Sequence, residues 1–418
     1  MREYLAVLMI AWVTTYLVTG PVRQGAIRFG AVTALRARDV HSTPTPRLGG
    51  AGMYVGFLLA VLAASKMPMM QTWVFQGTRI VPALLIGSGV LIVIGVIDDR
   101  WGVDAVIKLA GQTLAASIMV LMGVQLTWIS IPGMGIVSLE PNLAVTFSVL
   151  LIVGMINAVN FVDGLDGLAA GMVAIAASCF FVYAYRLQHG YDISTIVPAA
   201  MVSVMLIGMC LGFLCHNWSP ARIFMGDSGS MMLGMMLAVI TILAFGQIDP
   251  DQLKFVAGSQ STATYKAIPA FLPLVLPFCA VALPLADTVM AVVRRTRAGR
   301  SPFSADAEHM HHRLLQIGHS RRRAVLIMYF WSALISFTVV MFSVSSQSRP
   351  IVLGAMGFAL LGLIGLLMPR VRRHLDDRAG RAPVVRLRGR HAAREETAGE
   401  RQLAHSGSGL ENTQPPQS

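Results

Sequence analysis

Charge is what this sequence has least of. Only 13% of its 418 residues are charged, while 55% are hydrophobic; a typical soluble domain is about 25% charged. That shortfall, with repeated apolar runs of about 20 residues, excludes an ordinary soluble globule. It predicts an all-α protein with many membrane spans. Alternation with period two, in runs of about ten residues, is also missing, which excludes a transmembrane β-barrel. Cysteine is scarce: Cys179, Cys210, Cys215 and Cys279 all sit in apolar runs. They read as small core residues, not as disulfide partners or metal ligands. The net charge of +12 raises the question of nucleic acid. No basic surface interleaved with aromatics and no nucleic-acid motif goes with it, so that partner is excluded. The charge reads instead as basic loops on the cytoplasmic side of a lipid bilayer. No internal repeat is visible, which weighs against an inverted-repeat transporter. The first apolar run, 4–19, has no basic lead beyond Arg2 and no small-residue cleavage site, so a retained helix is expected.

Eleven spans are predicted, at about 3–20, 49–66, 80–97, 105–123, 143–159, 167–185, 195–215, 228–247, 269–293, 324–345 and 351–369. The long basic loops 20–48 and 294–323 both follow odd-numbered spans. The positive-inside rule therefore puts those helix ends in the cytoplasm and the N-terminus outside. The chain reads as one integral-membrane unit, 1–369, followed by a basic cytoplasmic tail, 370–418. The tail has too little apolar surface to form a core and is expected to be mostly disordered. The expected location is the plasma membrane, multi-pass, with the working face towards the cytoplasm.

Four polar clusters interrupt the apolar pattern. Asp98, Asp99, Asp104 and Lys108 lie in "IDDRWGVDAVIK"; Asn157, Asn160, Asp163 and Asp166 lie in "NAVNFVDGLDGLAAG". The others are "HNWSPARIFMGDSGS", with Asn217, Phe224 and Asp227, and "AEHMHHRLLQIG", with His309, His311, His312 and Arg313. All four follow odd-numbered spans, so all fall on the face the basic loops choose. An acid near the bilayer centre costs about 2.5–3.5 kcal/mol on insertion scales. Adjacent Asp98 and Asp99 repel, and a divalent cation or a cationic side chain would relieve that repulsion.

Carboxylates and amides supply hard oxygen ligands, which suit Mg²⁺ or, as a substitute, Mn²⁺. The His-Met-His-His run lacks a tetrahedral zinc set and, beside Arg313, suits a pyrophosphate better. Asp227 has two readings: a helix N-cap, or a group beside free helix N–H donors that receive an anion or a phosphate-bound metal. Asp104 reads as an N-cap. Lys108 is either a ligand-facing cation or a lysine snorkelling at a helix end. Asp287, inside a predicted span, is either a pore residue or a buried group satisfied by a neighbouring helix. The glycines of "DGLDGL" read either as turn residues, which would break the helix partway, or as positions that let backbone approach a ligand. These features fit phosphoryl transfer from a soluble diphosphate to a lipid; a cation transporter fits the acids but not the basic His loop or the interfacial placement.

At these motifs the sequence resembles the polyprenyl-phosphate N-acetylhexosamine-1-phosphate transferases, an integral-membrane family. The resemblance rests on "STPTPRLGG" (42–50), "DDR" (98–100) with "KLAGQ" (108–112), "NAVNFVDGLDGLAAG", "NWSPARIFMGDSGS" (217–230) and "HMHHRLLQIG" (309–318). These run in family order over residues 40–320. Arg47-Leu48 and the His-Met-His-His-Arg-Leu form are similar to the N-acetylglucosamine branch, and depart from the branch that takes UDP-N-acetylmuramoyl-pentapeptide. The implied reaction is UDP-N-acetylglucosamine plus an undecaprenyl or decaprenyl phosphate, giving N-acetylglucosaminyl-diphosphate-polyprenol and UMP. The resemblance implies that Asp227 ligates Mg²⁺, with Asn160 as a second ligand. It implies that Asp98 deprotonates or orients the lipid phosphate, assisted by Asp99, and that Lys108 meets that phosphate. Asn160, Asp163, Asp166 and Asn217 would face the uridine diphosphate, Phe224 would stack on uracil, and His309, His311, His312 and Arg313 would meet the pyrophosphate or sugar, with His311 among the catalytic groups. A homodimer is compatible with the sequence.

Overall fold

The computed structural model describes residues 1–32, 45–76, 78–131, 135–246, 319–344 and 350–365, with a few isolated positions between 247 and 318. Helix dominates them. In chain order they form α1 (Arg2–Phe29), α2 (Gly49–Ala64), a single turn α3 (Pro68–Met70), α4 (Ile80–Trp101), α5 (Ala105–Leu121) and α6 (Pro141–Val162). Then follow α7 (Leu168–Tyr191), α8 (Val197–Asn217), α9 (Gly226–Phe245), α10 (Arg321–Val344) and α11 (Pro350–Gly365). The sheet among the described residues is one antiparallel hairpin, β1 (Trp128–Ile131) with β2 (Gly135–Ser138), in register Trp128 to Ser138. Neither the hairpin nor α3 is anticipated from the sequence.

Among the described residues, seven helices are long and apolar enough to cross a membrane: α1, α4, α6, α7, α8, α9 and α10. α2 joins the Pro68–Phe75 segment at a 91° bend, which makes eight if the pair is one span; α5 and α11 are apolar but shorter. An all-α, polytopic membrane architecture is therefore what the chain forms. Each of these helices overlaps a predicted span. The span at 269–293, with Asp287, and the tail 370–418 lie outside the described residues. α1 overruns its predicted end and continues through Pro21 to Phe29.

Local chemistry sets several boundaries. α1 stops at Gly30, which takes the left-handed conformation (φ 72°) that a side chain disfavours. The Asp104 carboxylate accepts from the Val106 N–H at 2.8 Å, so it is the N-cap of α5 expected from the sequence. α6 and α8 carry proline in their first turn, where its missing N–H costs nothing.

α9 is the axis of the bundle. Its apolar window is 100% buried, against 22% for α1 at the rim. It packs against α2, α4, α6, α7 and α8, while α1 lies on α8 and α2, and α10 lies on α7. A helix apolar all round belongs at such a centre. Outward side chains such as Leu17, Leu62, Leu121 and Leu150 are exposed, as a lipid-facing surface requires. Two glycines let backbones close on the start of α9. A Cβ on Gly50 would lie 2.1 Å from the Gly229 nitrogen, and one on Gly95 would lie 2.2 Å from the Ser228 Cα. α2 and α4 can thus reach the first turn of α9 only without side chains there.

Candidate active site

The C-terminal ends of α4, α6 and α8 meet the N-terminal ends of α2, α5, α7 and α9 at one end of the bundle. Three of the four polar clusters converge there. Lys108, at the start of α5, turns inward: its ammonium lies 2.9 Å from Asp98 Oδ2 and also donates to Asp227 Oδ2. It bridges two carboxylates from different helices and is not snorkelling outward. Asp98 also accepts from the Val103 N–H at 2.8 Å. Both acids keep a water-facing edge, with side chains 13% (Asp98) and 27% (Asp227) exposed.

Asp99 points elsewhere. Its Oδ1 accepts from the Asp227 N–H at 2.9 Å; its Oδ2 accepts from the Ser228 N–H at 3.2 Å and the Ser228 hydroxyl at 2.9 Å. A carboxylate from α4 therefore caps α9, whose own Met225 offers no capping side chain. Two expectations are corrected. Asp227 is not the N-cap, because α9 has begun by Gly226. Nor are the Asp227 and Ser228 N–H donors of the first turn of α9 open to an incoming anion, because Asp99 takes both. The repulsion between Asp98 and Asp99 is relieved by divergence, one acid towards an ammonium and the other towards a positive helix end. Asp99 is engaged with protein groups and is not aligned beside Asp98 as its assistant.

The second cluster spans a break. α6 ends at Val162 and α7 begins at Leu168 after Gly167, which has φ 79°, so the helix breaks where the glycines predict. Asn157 Nδ2 donates to Gln112 Oε1 at 2.7 Å and to the Val153 carbonyl at 2.8 Å. Asn160 Nδ2 donates to Ser230 Oγ at 2.8 Å, one turn beyond Asp227, which leaves its carbonyl oxygen for other partners. Asp163 caps the end of α6. Its carboxyl is pushed up to about 7, first by burial and then by the Asp227 and Asp99 charges, with Arg47 opposing. Asp166, 9% exposed, accepts from the Ala221 N–H at 3.2 Å.

The third cluster holds the mouth together. Asn217, 3% exposed, accepts from the Gly167 N–H and donates to the Ile223 carbonyl, both at 2.8 Å. Its amide clasps two loops. Phe224 is half-buried; its N–H donates to the Pro46 carbonyl at 2.8 Å and its carbonyl accepts from the Gly49 N–H at 3.0 Å. The segment carrying Arg47 thereby pairs with the one carrying Phe224. From above, α10 adds Tyr329, whose hydroxyl donates to the Gly167 carbonyl, and Arg322, whose Nε donates to the Ser219 carbonyl at 2.7 Å. His309, His311, His312 and Arg313 lie outside the described residues.

Arg47, Gln112 and Ser230 belong to this end of the bundle and were not singled out as site residues by the sequence reasoning. Arg47 carried a signal, a cation within a Pro- and Gly-rich motif; Gln112 and Ser230 carried only their place inside motifs. Among the described residues no group of three His, Cys, Asp or Glu has metal-cage geometry. The donor set is nevertheless one that fits Mg²⁺, which takes one or two carboxylates and fills its remaining positions with water and substrate phosphate.

Residues 81–245 match the profile of Glycosyl transferase family 4. The chain is 44% identical to the decaprenyl-phosphate N-acetylglucosaminephosphotransferase of Mycolicibacterium smegmatis, over 90% of this chain and 91% of that one. The protein of the same name from Mycobacterium tuberculosis is 44% identical over 90% and 91%. The phospho-N-acetylmuramoyl-pentapeptide-transferase of Mycolicibacterium paratuberculosis is 30% identical, over 64% of this chain and 82% of that one.

Proposed function

We propose, from the premise that the chain belongs to Glycosyl transferase family 4, that it transfers N-acetylglucosamine 1-phosphate from UDP-N-acetylglucosamine to a polyprenyl phosphate. An oxygen of the lipid phosphate forms a bond to the sugar-bearing phosphorus, the bond from that phosphorus to the UMP oxygen breaks, and UMP leaves. The observation that carries this reading is the Lys108 bridge between Asp98 and Asp227. It puts a fixed ammonium and two carboxylates, partly open to water, at the end of an apolar bundle, where a lipid phosphate and a soluble nucleotide can meet. Two relatives matched over about nine-tenths of both chains are named for decaprenyl phosphate, so that acceptor is the first choice. The loop charges favour a cytoplasmic location for this end of the bundle.

Asp227 would hold Mg²⁺ or Mn²⁺, with the Asn160 carbonyl oxygen as a further donor from α6. The cation would neutralise the charge of the diphosphate as it transfers. Lys108 supplies a second positive charge, shared between Asp98 and the incoming lipid phosphate. Asp98 orients that phosphate through Lys108; the phosphate is already largely ionised, so orientation matters more than proton removal. Asp163, Asp166 and Arg47 are assigned to the nucleotide. His309, His311, His312 and Arg313 are assigned to the pyrophosphate and sugar.

The test is purified protein in nanodiscs, supplied with Mg²⁺, decaprenyl phosphate and a panel of UDP-sugars, with UMP and lipid products read by mass spectrometry. The expected product is N-acetylglucosaminyl-diphosphate-decaprenol, lost in Asp227→Asn while the protein still inserts. Turnover of UDP-N-acetylmuramoyl-pentapeptide alone overturns the assignment. So does cation flux in proteoliposomes without any lipid-linked product.

A further inference from the structure

One polar pair lies below the site, inside the bundle, and the proposed reaction makes no use of it. Gln112 is 2% exposed on α5, and its Oε1 accepts from Asn157 Nδ2 of α6 at 2.7 Å. Its Nε2 donates weakly to Met231 Sδ of α9 at 3.5 Å. Polar groups are costly at membrane depth, so an amide pair there calls for a reason. Its place in the lattice of contacts supplies one. Lys108 and Gln112 are four residues apart on α5, and their partners Asp227 and Met231 are four apart on α9. Each interval is about one helical turn, roughly 5.4 Å. The two helices thus meet in two rungs, an ion pair at the mouth and an amide–thioether contact one turn deeper. α6 closes the triangle: Asn157 bonds to the deeper rung, and Asn160 bonds to Ser230 of α9. Among the described residues, Asn157–Gln112 is the one hydrogen bond between side chains of α5 and α6.

We propose that Gln112 and Asn157 are a positioning pair: their hydrogen bond fixes the register of α5 against α6 and so holds the Lys108 ammonium on Asp98 and Asp227. The step from geometry to rate rests on the transferase reading above. The thioether contact is too weak to set register, whereas an amide–amide bond at 2.7 Å is directional. A slip of α5 is transmitted through one rigid turn to Lys108. Misplacement of a reacting group by about 1 Å costs on the order of a hundredfold in rate, so the pair acts at a distance without touching substrate.

The experiment uses the full chain in nanodiscs, with Gln112→Met, Asn157→Leu and the double variant. The first readout needs no activity: the rate at which an acylating reagent labels Lys108, by peptide mass spectrometry, with Lys66 as internal reference. Either single variant is expected to label Lys108 about fivefold faster, the population change that one lost hydrogen bond produces. The second readout is kinetic: kcat falls by about 10–100-fold, as for groups that orient a reacting residue, with KM for the nucleotide sugar unchanged. The double variant separates positioning from plain packing. Replacing both partners by apolar groups restores the thermal midpoint, but kcat stays low and Lys108 labelling stays fast. Unchanged Lys108 labelling in folded single variants, or a double variant with wild-type kcat, overturns the proposal. If the apolar variants do not fold, Gln112→Asn, which shortens the amide by one methylene, decides by the same labelling: faster labelling supports the pair, wild-type labelling refutes it. A wild-type protein that releases no UMP defeats the transferase reading while the labelling result still decides the register claim.

Discussion

Replacing Asp99 separates a helix cap from a catalytic acid. Its carboxylate accepts two backbone N–H bonds and one hydroxyl bond at the start of α9, at 2.9, 3.2 and 2.9 Å. Loss of a helix cap costs about 0.5–2 kcal/mol. Hydrogen bonds to a charged acceptor are worth about 1.5–3 kcal/mol, part of which is the same energy counted again. Asp99→Ala should therefore lose about 3 kcal/mol. Asp99→Asn keeps one acceptor oxygen and loses the favourable charge at the helix end, worth about 1 kcal/mol; its cost should be about half as large. Thermal unfolding in one detergent should thus rank wild type above Asp99→Asn above Asp99→Ala. Because the cap also places the Asp227 carboxylate, a shift worth about 1.4 kcal/mol in that placement would slow UMP release about tenfold. An Asp99→Asn protein with the wild-type melting midpoint and no more turnover than Asp227→Asn would refute this reasoning, because a cap cannot be lost without cost to stability.

Gly50→Ala should fail to give folded protein, because its Cβ would lie 2.1 Å from the Gly229 nitrogen, whereas Gly164→Ala meets nothing within 4 Å and should behave as wild type; detergent gel filtration of both reads this directly. Asn217→Ala should lower the melting midpoint by breaking both loop contacts at once; an unchanged midpoint would show that the clasp is redundant. Asp163 holds its proton up to about 7 in the native chain, against an ordinary 3.8, so between those values the native state binds a proton that the unfolded chain has released. Its contribution to stability therefore declines as pH rises from about 4 to 7 and levels off above. The melting difference between wild type and Asp163→Asn should follow that decline, and a difference that moves the other way would refute it.

Hydropathy located the helices because the length and apolarity of a span are local properties. The ends moved where local signals were weak: α1 runs through Pro21, and α4 keeps Asp98 and Asp99 inside its last turn. Loop charge and span parity also predicted that the polar clusters share one end of the bundle, and three of them do. The pattern in 157–171 told where a helix breaks, since glycine and short polar side chains act within a residue or two. It did not tell that Asn157 is paired inside the bundle while Asn160 bonds to α9.

The sequence by itself determined that this chain is a bundle of apolar helices with an acidic, amide-rich end, and its motifs were specific enough to indicate the family. The tertiary structure decided what each polar group does. Asp99 and Asp227 are 128 residues apart in the chain, and Lys108 and Asp227 are 119 apart. No local pattern says that one acid of an adjacent pair will cap a distant helix while the other takes a lysine. That choice follows from where Gly50 and Gly95 let α2 and α4 close on α9, and backbone contact of that kind exists only once the helices have packed.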